Sequence, residues 1–338
     1  MTTPHVNSSR RVVVPPMLKP ALVPSGPVSR LTGETMGTTW AVKAVADEEV
    51  LAELRAEIDV LFASIVGEMS AWEPHSELSR FNRAEEGWHR LSHKFNTVLG
   101  CALAVARETD GAYDPTIWPL TELWGFGPGG ARSIPDDAAV ARARERCGWE
   151  RLDFLRDEHH VRQPGGMAID VCGIGKGHAV DCLANLLRKR GMGNFLVEIG
   201  GELRGEGMRP DGNPWWVAVE APRAGAQGVR GDETVIALHG LSVASSGDYR
   251  RHYSQGGKRI AHIIDPRTGH PVANGIVSVT VLHQHCMRAD ALATALFVLG
   301  EEDGVAFASA RSIPALFMVD RDGLIEQRMT PALRDMAA

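Results

Sequence analysis

The chain has 338 residues, 44% hydrophobic and 23% charged, with a net charge of −6. That length supports a substantial core, and the composition is that of an ordinary globular protein. The acidic balance, with no basic cluster beyond Arg188-Lys189-Arg190, argues against a nucleic-acid binder, and no apolar run approaches the ~20 residues of a membrane span.

In chain order, residues 1–30 carry Pro15, Pro16, Pro20, Pro24 and Pro27 and read as a flexible N-terminal arm. Arg10-Arg11 hints at an export signal, but prolines break the apolar stretch behind it, so the expectation is a cytoplasmic protein. Residues 31–338 show no linker and are expected to form one domain. Strand-like alternation runs through 30–46, interrupted at Met36-Gly37-Thr38. Apolar residues at helical spacing predict one helix over 47–70. Residues 71–82 read as a loop, 93–111 as a second helix, and the Gly-, Pro- and Trp-rich stretch 111–130 as a loop of functional type. A third helix opens at Pro135-Asp136-Asp137.

Further on, 166–171 ("GMAIDV") reads as a strand and 177–191 as a helix stopped by Gly191. Strands are expected in 194–207, 214–222, 234–247, 259–265 and 275–283. A helix is expected over 289–300, then a hairpin over 314–329 turning at Asp322-Gly323. The interleaving without a strict βαβ repeat predicts an α+β (mixed α/β) protein with largely antiparallel sheets.

Chemistry concentrates in a few stretches. "MAIDVCGIGKGHAVD" (167–181) sets Asp170 before Gly173, Gly175 and Gly177, with Lys176 among them. It matches neither the GxGxxG dinucleotide fingerprint nor the Walker P-loop. It reads as an anion or nucleotide site, or as a tight structural turn. Asp290 and Thr294, four apart on a helix, suit a hard cation such as Mg²⁺, or serve as a helix-start carboxylate and its neighbour. His262 falls on an expected strand. His283, His285 and Cys286 lie together but lack a second ligand cluster, so zinc is not assigned.

Taken in order, "ETMGTTW", "MSAWEPHSELSRFN", "GAYDPTIWPLTELWGFG", "AIDVCGIGKGHAVD", "VEIGGELRGEG", "SVASSGDYRRHY", "AHIIDPRTGHPV" and "ADALATALFVLG" closely resemble the ApbE family of FAD:protein FMN transferases. The resemblance implies an ApbE-like flavin transferase fold. It also implies FAD as substrate, Mg²⁺ (or Mn²⁺) as metal, and an acceptor flavoprotein carrying a Thr or Ser that receives FMN as AMP leaves. Residue by residue, it implies flavin or adenine contacts from Met36, Trp72, Ala112, Tyr113, Asp114, Asp170, Lys176 and Ile264. It implies metal ligation by the Gly173 carbonyl, Asp290 and Thr294. Ala293 stands where some members carry a second Asp, Cys172 where a small or apolar residue is usual, and Gly175 where Ala is common. His262, beside Ile264, is the candidate base for the acceptor hydroxyl. An FAD pyrophosphatase and a non-catalytic flavin carrier are the competing expectations.

Overall fold

Period-two alternation in the strands gives the main sheet two buried faces. The computed structural model describes residues 10–16, 22–130, 133–220, 229–230, 233–248, 252–255 and 258–337. Parts of the expected arm and of the 214–222 strand, and Tyr249–Arg251 of "SVASSGDYRRHY", lie outside them.

Among the described residues, nine strands of one sheet run in the order Val229–Arg230, Leu324–Met329, Ala315–Arg321, Ile276–His283, Leu241–Gly247, Glu202–Glu206, Phe195–Ile199, Thr38–Val45 and Val28–Thr35. Only the first pair is parallel. The expected α+β class with largely antiparallel sheets is therefore observed. Phe195, Val197 and Phe317 face one core, built with the helices. Leu196, Leu316 and Met318 face a second, smaller core. That second core is closed by a three-stranded sheet of Arg10–Val13, Glu233–Leu238 and Trp215–Ala218.

Several expectations are corrected. Within the supposed arm, Arg10–Val13 forms a strand parallel to Glu233–Leu238, and Val28 opens the first long hairpin. Val13 is fully buried in the second core, and pairing with Glu233–Leu238, together with the Val14 N–H donated to the Met336 carbonyl at 2.7 Å, holds this proline-flanked segment. The helix expected over 47–70 is two, Glu48–Glu53 and Arg55–Met69, because the chain tightens at Leu54, whose N–H donates to the Leu51 carbonyl. The 71–82 loop ends in a helix, Glu77–Asn82, capped by Ser76. The 111–130 loop contains the helix Trp118–Leu123. A further helix, Glu301–Ala310, lies between Cys286–Leu299 and the hairpin.

The strand expected at 166–171 does not form. Ala168 makes one isolated bridge to Ile117, and the Asn82 side chain stands in for a strand partner. Its amide donates to the Ile169 carbonyl at 2.8 Å, and its oxygen accepts from the Ile169 N–H at 2.8 Å.

Two helices dominate the main core. Cys286–Leu299 is buried on nearly every side, as expected of a helix apolar all round, between strands Leu241–Gly247 and Ile276–His283 and the helix Gly175–Lys189. Its N-terminal N–H groups at Cys286 and Met287 donate to the Asp181 carboxylate, both at 3.0 Å.

On Gly175–Lys189, burial pushes the His178 imidazole from 6.5 down to about 4. The folded protein therefore binds no proton there until about pH 4, whereas the unfolded chain does below 6.5. Stability should be full above pH 6.5 and fall as the pH drops towards 4. Urea denaturation across that window should show the decline; burial lowers His283 to about 4 as well, so His178→Phe should reduce the slope and leave the His283 share. An identical slope in the variant would assign the effect elsewhere.

Candidate functional site

The site forms where the N-terminus of Gly175–Lys189 crosses Cys286–Leu299. This helix begins two residues earlier than the sequence suggests, so Lys176 lies in its first turn. The crossing requires Gly177. A Cβ there would lie 2.4 Å from the Cys286 carbonyl oxygen and 2.8 Å from Met287 Cα. The same close approach lets the Gly177 N–H donate to Asp290 Oδ2 at 3.0 Å. Gly173 is a second close approach, since a Cβ there would lie 3.0 Å from Thr294 Oγ1 and 3.3 Å from Tyr113.

Asp170 organises the turn between them. Its Oδ1 accepts from the Cys172 N–H at 2.8 Å, and its Oδ2 accepts from Thr121 Oγ1 at 2.9 Å. The Thr294 hydroxyl lies 2.9 Å from Ser246 Oγ. Asp290, Thr294 and Gly173 thus line one cavity, with the Gly173 backbone against the Thr294 side chain.

Lys176 forms an ion pair with Glu202, the first residue of the strand Glu202–Glu206. Burial by itself would depress the ammonium. The Glu202 and Asp290 carboxylates outweigh it and hold Lys176 charged, at about 12. Burial, opposed by Lys176 and reinforced by Asp290, pushes the Glu202 carboxyl up to about 7. Burial likewise raises Asp290, while Lys176 and the Gly177 N–H oppose it.

All twelve residues singled out from the sequence line one cavity of about 1200 Å³. These are Met36, Trp72, Ala112, Tyr113, Asp114, Asp170, Gly173, Lys176, His262, Ile264, Asp290 and Thr294. The volume exceeds the roughly 300–1,000 Å³ of an ordinary small-molecule pocket, which suits an elongated ligand. Met36 and Gly37 both have positive φ, forming the two-residue turn between Val28–Thr35 and Thr38–Val45. Trp72 is 44% exposed and meets Trp118 edge-on at 5.8 Å.

The placements carry two qualifications of role. His262 lies not on a strand but in a bend between Lys258–Ala261 and Ile264–Asp265, edge-on to Phe126. Asp114 has its carboxylate occupied by the protein. Oδ1 accepts from the Thr116 N–H and hydroxyl, each at 2.7 Å, and Oδ2 from the Trp149 N–H at 3.2 Å. It holds the loop that carries Ala112 and Tyr113.

Two buried polar atoms of the cavity lining lack hydrogen-bond partners, Tyr113 Oη and Glu202 Oε2. Burial keeps the Tyr113 phenol neutral, so it is a ready donor. Such orphans are rare in folded proteins, and a polar ligand in the cavity would give both a partner. Among the described residues no group of three or more His, Cys, Asp or Glu side chains is placed to hold a metal ion. One carboxylate with hydroxyl and carbonyl oxygens fits Mg²⁺, which commonly binds through one or two carboxylates, with waters and substrate phosphate completing its shell.

Glu202 and Ser246 were not singled out from the sequence, although both lie in stretches that carry the resemblance. The hairpin register was the available signal. Leu203 faces the second core, so Glu202 and Arg204 must face the helices.

The model of the ApbE family matches residues 36–317. The FAD:protein FMN transferase of Vibrio cholerae is 40% identical over 304 residues, covering 86% of this chain and 87% of that protein. That of Haemophilus influenzae is 35% identical over 320 residues, covering 91% of each. The crystal structure of the Pseudomonas stutzeri flavinyl transferase ApbE in apo form superposes with a TM-score of 0.84 at 32% identity, covering 92% of this chain and 96% of that one. On sequence and on fold alike, this chain belongs to the ApbE family.

Proposed function

We propose that this protein transfers FMN from FAD to a threonine or serine hydroxyl of an acceptor flavoprotein, with Mg²⁺ or Mn²⁺ as its metal, and releases AMP. The observation that supports this reading most directly is one large cavity joining oxygen donors, a fixed ammonium and apolar walls. Similarity to proteins named for this activity points the same way.

In the reaction, the acceptor oxygen bonds to the phosphorus on the FMN side. The bond from that phosphorus to the bridging oxygen breaks, and AMP leaves with that oxygen. Asp290, Thr294 and the Gly173 carbonyl would hold the metal, which supplies charge neutralisation on the pyrophosphate. Lys176 adds a fixed positive charge beside it. Trp72, Met36, Ala112, Tyr113 and Ile264 offer surfaces for the flavin and adenine rings, and the Tyr113 hydroxyl offers a donor. Asp170 holds the glycine turn in shape. His262 takes the acceptor proton, since a neutral hydroxyl is a poor nucleophile without a base.

Intact-mass analysis of a candidate acceptor after incubation with the protein, FAD and Mg²⁺, with an EDTA control, tests the reading. A metal-dependent gain of one FMN together with AMP release supports it. AMP release that no acceptor accelerates would instead make the protein an FAD pyrophosphatase, and FAD binding without AMP would make it a flavin carrier. His262→Ala should lower the transfer rate by about 10²–10⁴-fold, the usual range for a general base, with FAD affinity kept. A nearly unchanged rate would remove His262 from the chemistry.

A further inference from the structure

Resting on the metal site proposed above, we infer that Glu202 is a positioning residue that keeps the Lys176 ammonium off Asp290 and so leaves that carboxylate open to the divalent cation. Lys176 and Asp290 line the same cavity. Asp290 is anchored by the N–H of Gly177, the residue next to Lys176 in the chain. The ammonium is attracted by both carboxylates, Glu202 and Asp290. Buried opposite charges pair readily, and a lysine on Asp290 would occupy the place a cation needs. In the structure the ion pair goes to Glu202 instead.

Glu202 is built for that task. It follows the Gly200-Gly201 turn, and its backbone is fixed by pairing with Ile199. Its side chain is almost wholly buried, and Oε2 has no partner. An apolar residue would serve the fold better at such a position, because a buried acceptor without a donor is costly. Without Glu202, Lys176 and Asp290 would neutralise each other.

The test is a Mn²⁺ titration of the FAD-free full chain, with free Mn²⁺ read from its EPR signal. Glu202→Gln should weaken Mn²⁺ binding about 10–100-fold, the range for residues that orient metal ligands, and Glu202→Asp should stay near the wild type. In a Lys176→Met background, where no ammonium needs holding, Glu202→Gln should cost little. Recovery there also shows that the substitution leaves the fold intact. Unchanged affinity in Glu202→Gln, or a loss undiminished in the Lys176→Met background, would overturn the inference while the metal site stands. A wild-type chain that binds no Mn²⁺ would overturn both.

Discussion

Gly177→Ala should be among the most destabilising single-methyl changes available to this protein. Gly177 is helical, so alanine would by itself favour the helix by about 0.5–1 kcal/mol. The added Cβ, however, would lie 2.4 Å from the Cys286 carbonyl oxygen and 2.6 Å from its carbon. Both atoms are main chain in a buried helix, and neither can swing away as a side-chain tip could. Overpacking of this kind costs roughly 1–3 kcal/mol or more, so the clash outweighs the propensity gain. Thermal and urea denaturation should show the loss. Activity should fall as well, because parting the helices breaks the Gly177–Asp290 hydrogen bond. Gly175→Ala is the internal control, since a Cβ there meets nothing within 4 Å. Equal stability of Gly177→Ala and wild type would mean that the helix crossing is looser than described.

Asp290→Asn should separate activity from stability. The asparagine oxygen can still accept from the Gly177 N–H, so the helix crossing is kept. What disappears is the one carboxylate in the proposed metal set. The metal-dependent transfer rate should drop by roughly 10²–10³-fold, the scale for losing one electrostatic stabiliser of a transition state. The melting temperature measured without metal should stay level or rise. Burial already pushes this carboxyl above its usual range, so its charged form weighs against the fold. Full metal-dependent turnover in the variant would reject Asp290 as a ligand, and a large fall in melting temperature would make its role structural.

Much of the architecture was legible because it depends on local rules. The hairpin at Asp322-Gly323 follows from turn chemistry, and both residues have positive φ as such a turn needs. The helix Cys286–Leu299 follows from an apolar run ended by Gly300. The elements that depart from local rules depend on distant partners. Arg10–Val13 is a strand because the strand Glu233–Leu238 offers it an edge. Residues 166–171 miss strand form because the Asn82 amide takes the place of a neighbouring strand.

The same division holds at the site. By itself the sequence determined the α+β class and the resemblance to the family, and through that resemblance twelve of the residues that line the cavity, because the order of its motifs is a property of the chain. The tertiary structure alone decided what each of them does locally. Asp114 holds a loop, because Thr116 and Trp149 consume its carboxylate. Gly177 serves packing, because another helix lies against it. Glu202 joins the site because hairpin register turns it inward, to a buried place where its charge must find Lys176. A sequence records which charges exist, but burial and distance set their energy, and those arise only when segments far apart in the chain come together.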